Sequence, residues 1–327
     1  MISVYSPLRI SFAGGGTDIS PFFEKYGGAV VNATIDRGIN IRYTDDKMPL
    51  EVSSRDFLKS ALISSDNTLM ENHIINLFTK NGITTGRLIM NSGAPPGSGL
   101  GSSSALLNGL LKIIYTIKNN NINDYDLAYN SYKTEKDSFK IILGKQDPYA
   151  ISIGGFKFMK FLNCGEITEK FDINNEFIND LEKSLLLVYT GKTRESSDAL
   201  REQVEKSENN DNEVIEKLFK LKDFAYNMKK AIKTEDINDF CNVINEGWSI
   251  KKTLGNNITN NNIEKIIKYA HEHGSMAEKL LGGGSQGFIL LYTDYNNIPY
   301  LQKSMMDLTD FVIRLNFDNK GTRIIKM

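Results

Sequence analysis

The sequence predicts an α+β fold in two domains, on three observations. Strand-like alternation and helical periodicity occur in both halves of the 327-residue chain. A dense glycine–serine run, "PPGSGLGSSSA" (95–105), stands between a strand pattern and a helix pattern. No stretch repeats, which sets aside solenoids and propellers.

The first 45 residues read as strands around a turn: "ISVYSPLRISFA" alternates and ends in "GGGTD", and "GAVVNATIDRGINIRYT" repeats that texture. "GRLIMNS" (86–92) is a short strand directly before the glycine run. Directly after it, Leu106, Leu107, Leu110, Leu111, Ile114 and Ile117 recur at helical spacing. The Asn-rich "NNNINDYD" (119–126) reads as a connection, and a second helix is expected over 125–140. "GGFKFMKF" (154–161) and "KSLLLVYTG" (183–191) read as strands, and "KSENNDNE" (206–213) as a loop or helix–helix corner. Residues 213–254 and 260–281 carry helical patterning, and "GFILLYT" (287–293) and "DFVIRLNF" (310–317) are strand-like. The domain boundary is expected near 180–192, giving domains 1–185 and 186–327.

Composition narrows the partners. With 39 basic and 40 acidic residues the net charge is −1, which excludes an electrostatic footprint for nucleic acid. No run of about 18 apolar residues spans a bilayer, and the N-terminus lacks the basic start and apolar core of a signal peptide. Cys164 and Cys241 are far apart and in no CxxC pattern. They suit a reducing compartment, so the expectation is a cytoplasmic protein.

The glycine run asks for an anion. A helix start carries unpaired amides and partial positive charge, and glycines let the backbone approach a phosphate without Cβ clashes. The bland alternative is a capped helix after a tight turn. A Walker loop is rejected because no lysine stands among the serines. A dinucleotide fingerprint is rejected because Gly97, Gly99 and Gly101 give GxGxG rather than GxGxxG. A serine-hydrolase elbow would need glycine where Ala105 stands, and His73, His271 and His273 read as surface or core residues.

The run resembles the ATP-binding loop of the GHMP kinases (galactokinase, homoserine kinase, mevalonate kinase, phosphomevalonate kinase). "SPLRISFAGGGTD" (6–18) resembles the family's first signature and "KLLGGGSQGF" (279–288) its third, in the right order along the whole chain. The resemblance implies a two-domain fold of mixed sheets and helices with the ATP site between the domains. It implies ATP and Mg²⁺ as cofactors, and Pro96, Gly97, Ser98, Gly99, Leu100, Gly101, Ser102, Ser103 and Ser104 as the ATP loop. By the same match Glu135 holds the metal with Ser103; the alternative is an exposed helix carboxylate beside Lys133, Lys136 and Asp137. Asp147 matches the catalytic aspartate, placed in a turn ending a helix and not expected to contribute to thermal stability; "QDP" also suits an Asx turn. Arg9 matches a cation beside that aspartate, where it would favour the ionised form and offset charge on the moving phosphoryl group; otherwise it is an ordinary strand charge.

Gly16, Thr17 and Asp18, with Gly283 and Gly284, match the acceptor side, though Asp18 also reads as an N-cap for "ISPFFEKY". Several stretches, among them "FAGGGTD", "GKQDPYA" and "NEGWSIKK", most resemble the branch acting on heptose 7-phosphate. A phosphorylated acceptor needs cationic clamps, for which Lys192, Arg194, Lys251 and Lys252 are the candidates. In the third signature Ser285 and Gln286 interrupt what that branch carries as a glycine run. Mevalonate 3-phosphate as acceptor for a 5-kinase stays open, as does a non-catalytic nucleotide sensor. The implied partner is a small phosphorylated molecule, with neither nucleic acid nor membrane, and a homodimer is admitted.

Overall fold

A computed structural model describes residues 1–54, 59–62, 69–95, 97–138, 142–191, 197–209, 211–309 and 311–326. In chain order these form β1 (Ile2–Ala13), α1 (Phe22–Tyr26), β2 (Gly28–Pro49), β3 (Glu51–Ser54), β4 (Lys59–Leu62), α2 (Leu69–Lys80) and β5 (Thr85–Ser92). Then come α3 (Ser102–Ile117), α4 (Asp124–Asp137), α5 (Gln146–Ile153), β6 (Phe156–Leu162), β7 (Gly165–Lys170), α6 (Asn175–Ser184) and β8 (Leu185–Tyr189). The rest is α7 (Ser197–Glu208), α8 (Asn212–Lys233), α9 (Ile237–Lys251), α10 (Asn261–Glu272), β9 (Ala277–Leu280), β10 (Phe288–Tyr292), α11 (Ile298–Met306), β11 (Val312–Arg314) and β12 (Arg323–Lys326).

The architecture is the expected α+β one, with two sheets. The first runs β12–β1–β2–β5–β3–β4, with β6 pairing β2 and β7 pairing β6; the second runs β11–β8–β10–β9. β1 and β2 are antiparallel, and Arg9 faces Thr34 across them. Every residue of β1 from Ser6 to Ala13 is buried, so both faces of this strand are covered. Helices α3, α5, α8 and α9 all lie against it. Close approach of α3 to the sheet depends on Gly109, where a Cβ would stand 2.7 Å from Ile41 Cδ1. The apolar stripe of α3 (Leu107, Leu110, Leu111, Ile114) is buried as its spacing predicts.

Three expectations need correction. The helical reading of 260–281 holds only to Glu272: Gly274, at φ +89°, ends the helix, and 277–280 is strand β9. Ala, Glu, Lys and Leu favour a helix in isolation, but pairing with β10 buries all four, and tertiary context overrides propensity. The corner expected at 206–213 begins later, since α7 continues to Glu208 and Asp211 caps α8 through Glu213 and Val214. Asp147 opens helix α5 rather than ending one. The expected boundary at 185/186 falls at the start of β8, the first strand of the second sheet. The last strand, β12, returns to pair with β1.

Candidate active site

The first glycine turn fixes one wall. Thr17 Oγ1 lies 2.8 Å from Gly14 O and 3.0 Å from Ala29 O, either of which can take its single proton, and accepts from Ala29 N (3.1 Å), clamping the turn to β2. Thr17 is fully buried and its hydroxyl is spent on backbone, so it does not line the cleft as expected of an acceptor residue. Asp18 does line it: Oδ1 accepts from Gly16 N (3.1 Å) and Oδ2 from Gln146 N (2.9 Å). Its carboxyl therefore ties the turn to the start of α5, not to the short helix α1, which has Pro21 as N-cap without a side-chain bond. Burial raises its pKa, and the two amides oppose that rise.

Arg9 and Asp147 meet in the middle. Arg9 Nε donates to Asp147 Oδ1 (2.7 Å) and Nη2 to Oδ2 (2.8 Å), a bidentate fork. Its Nη1 donates to Gly99 O at 2.6 Å. One arginine thus joins β1, the glycine loop and α5, with its side chain 5 % exposed against 27 % for Asp147.

The glycine loop forms the opposite wall. Gly97, Gly99 and Gly101 have φ near +70°, +74° and +75°, a region that side chains with a Cβ rarely adopt. Gly101 is the N-cap of α3 and has no side chain with which to cap it. The first-turn amides of Ser102, Ser103 and Ser104 therefore lack an intrahelical partner, the arrangement that attracts an anion. Gly99 packs backbone to backbone on the third glycine turn, where a Cβ on Gly282 would stand 2.6 Å from Gly99 Cα. Phe288 N donates to Ser98 O at 3.0 Å, closing the same contact. Leu100 is buried and gives its carbonyl to Arg9 N (3.0 Å).

Glu135, on α4, is 1 % exposed and buried beneath the loop's serines. Ser103 Oγ donates to Oε1 (2.6 Å) and Ser104 Oγ to Oε2 (2.7 Å). Burial pushes its carboxyl up to about 7, against the two hydroxyl bonds that lower it. The exposed-carboxylate alternative is thereby set aside. The donors are hard oxygens of the kind Mg²⁺ prefers, and an apposed cation would relieve the buried charge. Among the described residues no cluster of His, Cys, Asp or Glu could hold a metal ion alone. An ion here would share Glu135 and serine oxygens with phosphate oxygens and water.

One cleft of about 280 Å³ gathers Arg9, Gly16, Asp18, Gly97, Gly99 and Gly101 with Ser102, Ser103, Ser104, Glu135, Asp147 and Gly283. Ser98, Leu100, Thr17 and Gly284 do not line it. Pro96, Lys192 and Arg194 lie outside the described residues. Of the two lysines in "SIKK", Lys251 lines the cleft while Lys252 pairs with Glu264 at 3.4 Å on the outside. The sequence reading missed Ser11, Gln146 and Gln203. Ser11 Oγ donates to Gln146 Oε1 (3.0 Å) and Gln203 Nε2 to Gly16 O (3.1 Å). Gln146 could have been found beside Asp147; Gln203, on a helix far along the chain, carries no local signal.

Comparison with known proteins places the chain in a family. Residues 68–155 match the family model for the GHMP kinases N-terminal domain. The chain is 32 % identical over 339 residues to the D-glycero-α-D-manno-heptose 7-phosphate kinase of Campylobacter jejuni, spanning 98 % of each. It is 26 % identical over 250 residues to a mevalonate kinase of Methanocaldococcus jannaschii, covering 76 % of this chain and 72 % of that one. The crystal structure of a D-glycero-D-manno-heptose 1-phosphate kinase from Bacteriodes thetaiotaomicron superposes with a TM-score of 0.80 at 26 % identity, over 100 % of this chain and 99 % of that one. A full-length relative at 32 % identity, a matching family domain and a shared fold lead to one conclusion: the chain belongs to the GHMP kinases.

Proposed function

We propose that the chain is an ATP-dependent kinase that phosphorylates a hydroxyl of an already phosphorylated sugar, with heptose 7-phosphate the first choice. The observation that carries this reading is the meeting, in one cleft, of the Arg9–Asp147 fork with the glycine loop and the Glu135–serine cluster. In the proposed roles, the loop from Pro96 to Ser104 and the free amides of α3 hold the ATP phosphates. Glu135 and Ser103 hold Mg²⁺, which would neutralise phosphate charge. Asp147 accepts the proton of the acceptor hydroxyl or aligns it, and Arg9 fixes Asp147 while offsetting charge on the phosphoryl group. Asp18 and the turns at Gly16 and Gly283 face the sugar; Lys192 and Arg194 are assigned to its phosphate. The halves 1–185 and 186–327 serve as the two domains, and we assign the activity to the cytoplasm, where both free thiols, Cys164 and Cys241, would stay reduced.

The full-length match favours a sugar phosphate. Mevalonate 3-phosphate stays as the second reading, since it would use the same ATP wall and a cationic clamp; the relative named mevalonate kinase is more distant, at 26 % identity. The test is ATP consumption with Mg²⁺ over heptose 7-phosphate, heptose 1-phosphate, unphosphorylated hexoses and mevalonate 3-phosphate. Turnover confined to sugar phosphates is expected. Preference for an unphosphorylated sugar, or for the mevalonate phosphate, overturns the acceptor assignment, and nucleotide binding with no turnover overturns the enzyme.

Among the described residues no helix is long and apolar enough to cross a membrane.

A further inference from the structure

Lys251 is a cleft residue whose charge the roles above leave unused. It ends α9, in the C-terminal half of the chain. Its Nζ donates to Gly282 O at 2.7 Å, in the third glycine turn. It also lies against the first glycine turn, for a Cβ on Gly15 would stand 3.7 Å from the same nitrogen. The charged groups around it are Arg9 from β1, Asp18 from the turn after β1, Asp147 from α5 and Lys279 from β9.

Arg9 and Lys251 are the cationic side chains on the described cleft wall. Arg9 spends three of its five N–H donors inside the protein, Nε and Nη2 on Asp147 and Nη1 on Gly99 O. Lys279 is turned away to Phe12 O at 2.9 Å. An ammonium carries three donors, and among the described residues Lys251 directs one of them, to Gly282. It lines the same cleft as Asp18 and Asp147, with donors left over for a ligand there. Cations gathered this closely repel one another, and Asp147 is already taken by Arg9, so an anion in the cleft would relieve them. Burial and Arg9 together push the Lys251 ammonium down to about 8, while Asp18 and Asp147 act the other way.

We propose that Lys251 is a second phosphoryl-binding cation, whose ammonium bonds the equatorial oxygens of the phosphoryl group as it crosses from ATP to the acceptor. This role rests on the kinase reading above and differs from the sequence expectation, which put Lys251 on the acceptor's own phosphate. In such an acceptor that phosphate lies away from the reacting hydroxyl, whereas Lys251 lines the cleft together with Arg9, Asp18 and Asp147. In the step, the acceptor oxygen forms a bond to the γ-phosphorus and the bond to the β–γ bridging oxygen breaks. ADP leaves with that electron pair, and the hydroxyl proton passes to Asp147. Lys251 neither gains nor loses a proton.

The test uses the full chain with ATP, Mg²⁺ and heptose 7-phosphate. Lys251→Met should lower kcat by about 10²–10³-fold, the usual effect of removing one transition-state donor, with ADP affinity by calorimetry within about threefold of wild type. Lys251→Arg should hold kcat within about tenfold. Wild-type kcat/KM is expected to fall as pH rises past about 8, and Lys251→Arg should abolish that fall, since a guanidinium keeps its charge. A Met variant with unchanged kcat overturns the proposal. So does one that loses ATP affinity alone, because Lys251 would then merely brace Gly282. An Arg variant that keeps the alkaline fall also overturns it, and this arm decides the matter if Lys251→Met does not fold. Should wild type itself transfer nothing to heptose 7-phosphate or another sugar phosphate, the kinase reading fails and the role falls with it. Normal wild-type transfer beside an unaffected Met variant removes only Lys251.

Discussion

Replacing Asp147 with Asn takes away one carboxylate charge and keeps the side-chain shape. Turnover should fall by about 10²–10⁴-fold, the worth of a positioned general base, with ADP binding little changed; a fall below about tenfold would leave alignment and metal charge to carry the transfer. The fork to Arg9 argues for the opposite of the expectation that such a carboxylate adds nothing to stability. Arg9 is 4 % exposed and bonded to both carboxylate oxygens, so Asp147→Asn leaves a buried guanidinium short of its counter-ion. Since Asp147 is part-exposed, a loss of about 1–3 kcal/mol is expected by urea denaturation. Glu135 behaves oppositely. Its folded-state pKa is raised from 4.5 to about 7, so between these values the metal-free native state binds more protons than the unfolded chain. Stability should then decline as pH rises from about 4.5 to about 7 and stay low above that window. Glu135→Gln should remove this slope, melt above wild type at pH 8 in EDTA, and lose the Mg²⁺-dependent turnover. A metal-free melting curve of wild type that is flat over the window would show that the charge is not buried as described. Arg9 and Asp147 were legible because they stand inside quoted motifs. That Thr17 is a turn clamp was not, because the partner of its hydroxyl, Ala29, is set by strand pairing.

At the scale of elements, the strand, glycine loop and helix around residue 100 could be read because every local preference agrees there. Apolar spacing, glycines and serines all point to one arrangement. Strand β9 could not, since "AEKL" is locally helical and only its pairing with β10 makes it a strand. The start of α5 was misread for a related reason: "QDP" is an equally good turn, and the helix that follows is buried nearly all round, leaving no amphipathic stripe to detect. The loop's packing also changes how it should be tested. Gly99 rests on the Leu281–Gly282 backbone, so a substitution there moves two glycine turns at once. Gly101 is the cleaner site. An added Cβ would meet Ile151 Cδ1 at 3.0 Å and both Arg9 Cγ and Asp147 Oδ2 at 3.3 Å, in a backbone conformation at φ +75°. Gly101→Ala should therefore cost about 1–2 kcal/mol of stability from the left-handed conformation alone and weaken ATP binding by calorimetry. Unchanged affinity in a folded variant would deny the loop its phosphate role.

Seen whole, the molecule shares one core across the division expected from the sequence. The Phe12 ring of β1 packs, tilted, against Phe156 at 5.1 Å and Phe240 of α9 at 5.4 Å between ring centres, so the first strand packs on a helix from the far half of the chain. Ala225, Met228, Ala231 and Ile232 of α8 belong to the same cluster as Leu8, Ile10 and Val31. Strand β12 adds to β1 at the edge of the first sheet, and Ser6 Oγ meets Thr322 Oγ1 at 2.8 Å there. None of this was legible, because a four-residue terminal strand carries too little pattern to reveal its partner and helix faces do not state which sheet they cover. The cleft inherits the arrangement: β1 and α5 supply Arg9 and Asp147, while α9 and the third glycine turn supply Lys251 and Gly282. A fragment ending at residue 185 would expose the side of β1 and β2 that α8 and α9 cover, with each large apolar side chain uncovered costing about 1.5–3 kcal/mol. Domain stability is only about 5–15 kcal/mol, so a few such exposures exhaust it. The fragment 1–185 should therefore keep some far-ultraviolet dichroism, lose near-ultraviolet dichroism and bind an apolar dye. The full chain should unfold in one calorimetric transition with matching calorimetric and van't Hoff enthalpies. Two resolved transitions, or a fragment with native-like dispersed amide resonances, would mean that the halves fold independently and that the shared core is a contact between finished domains.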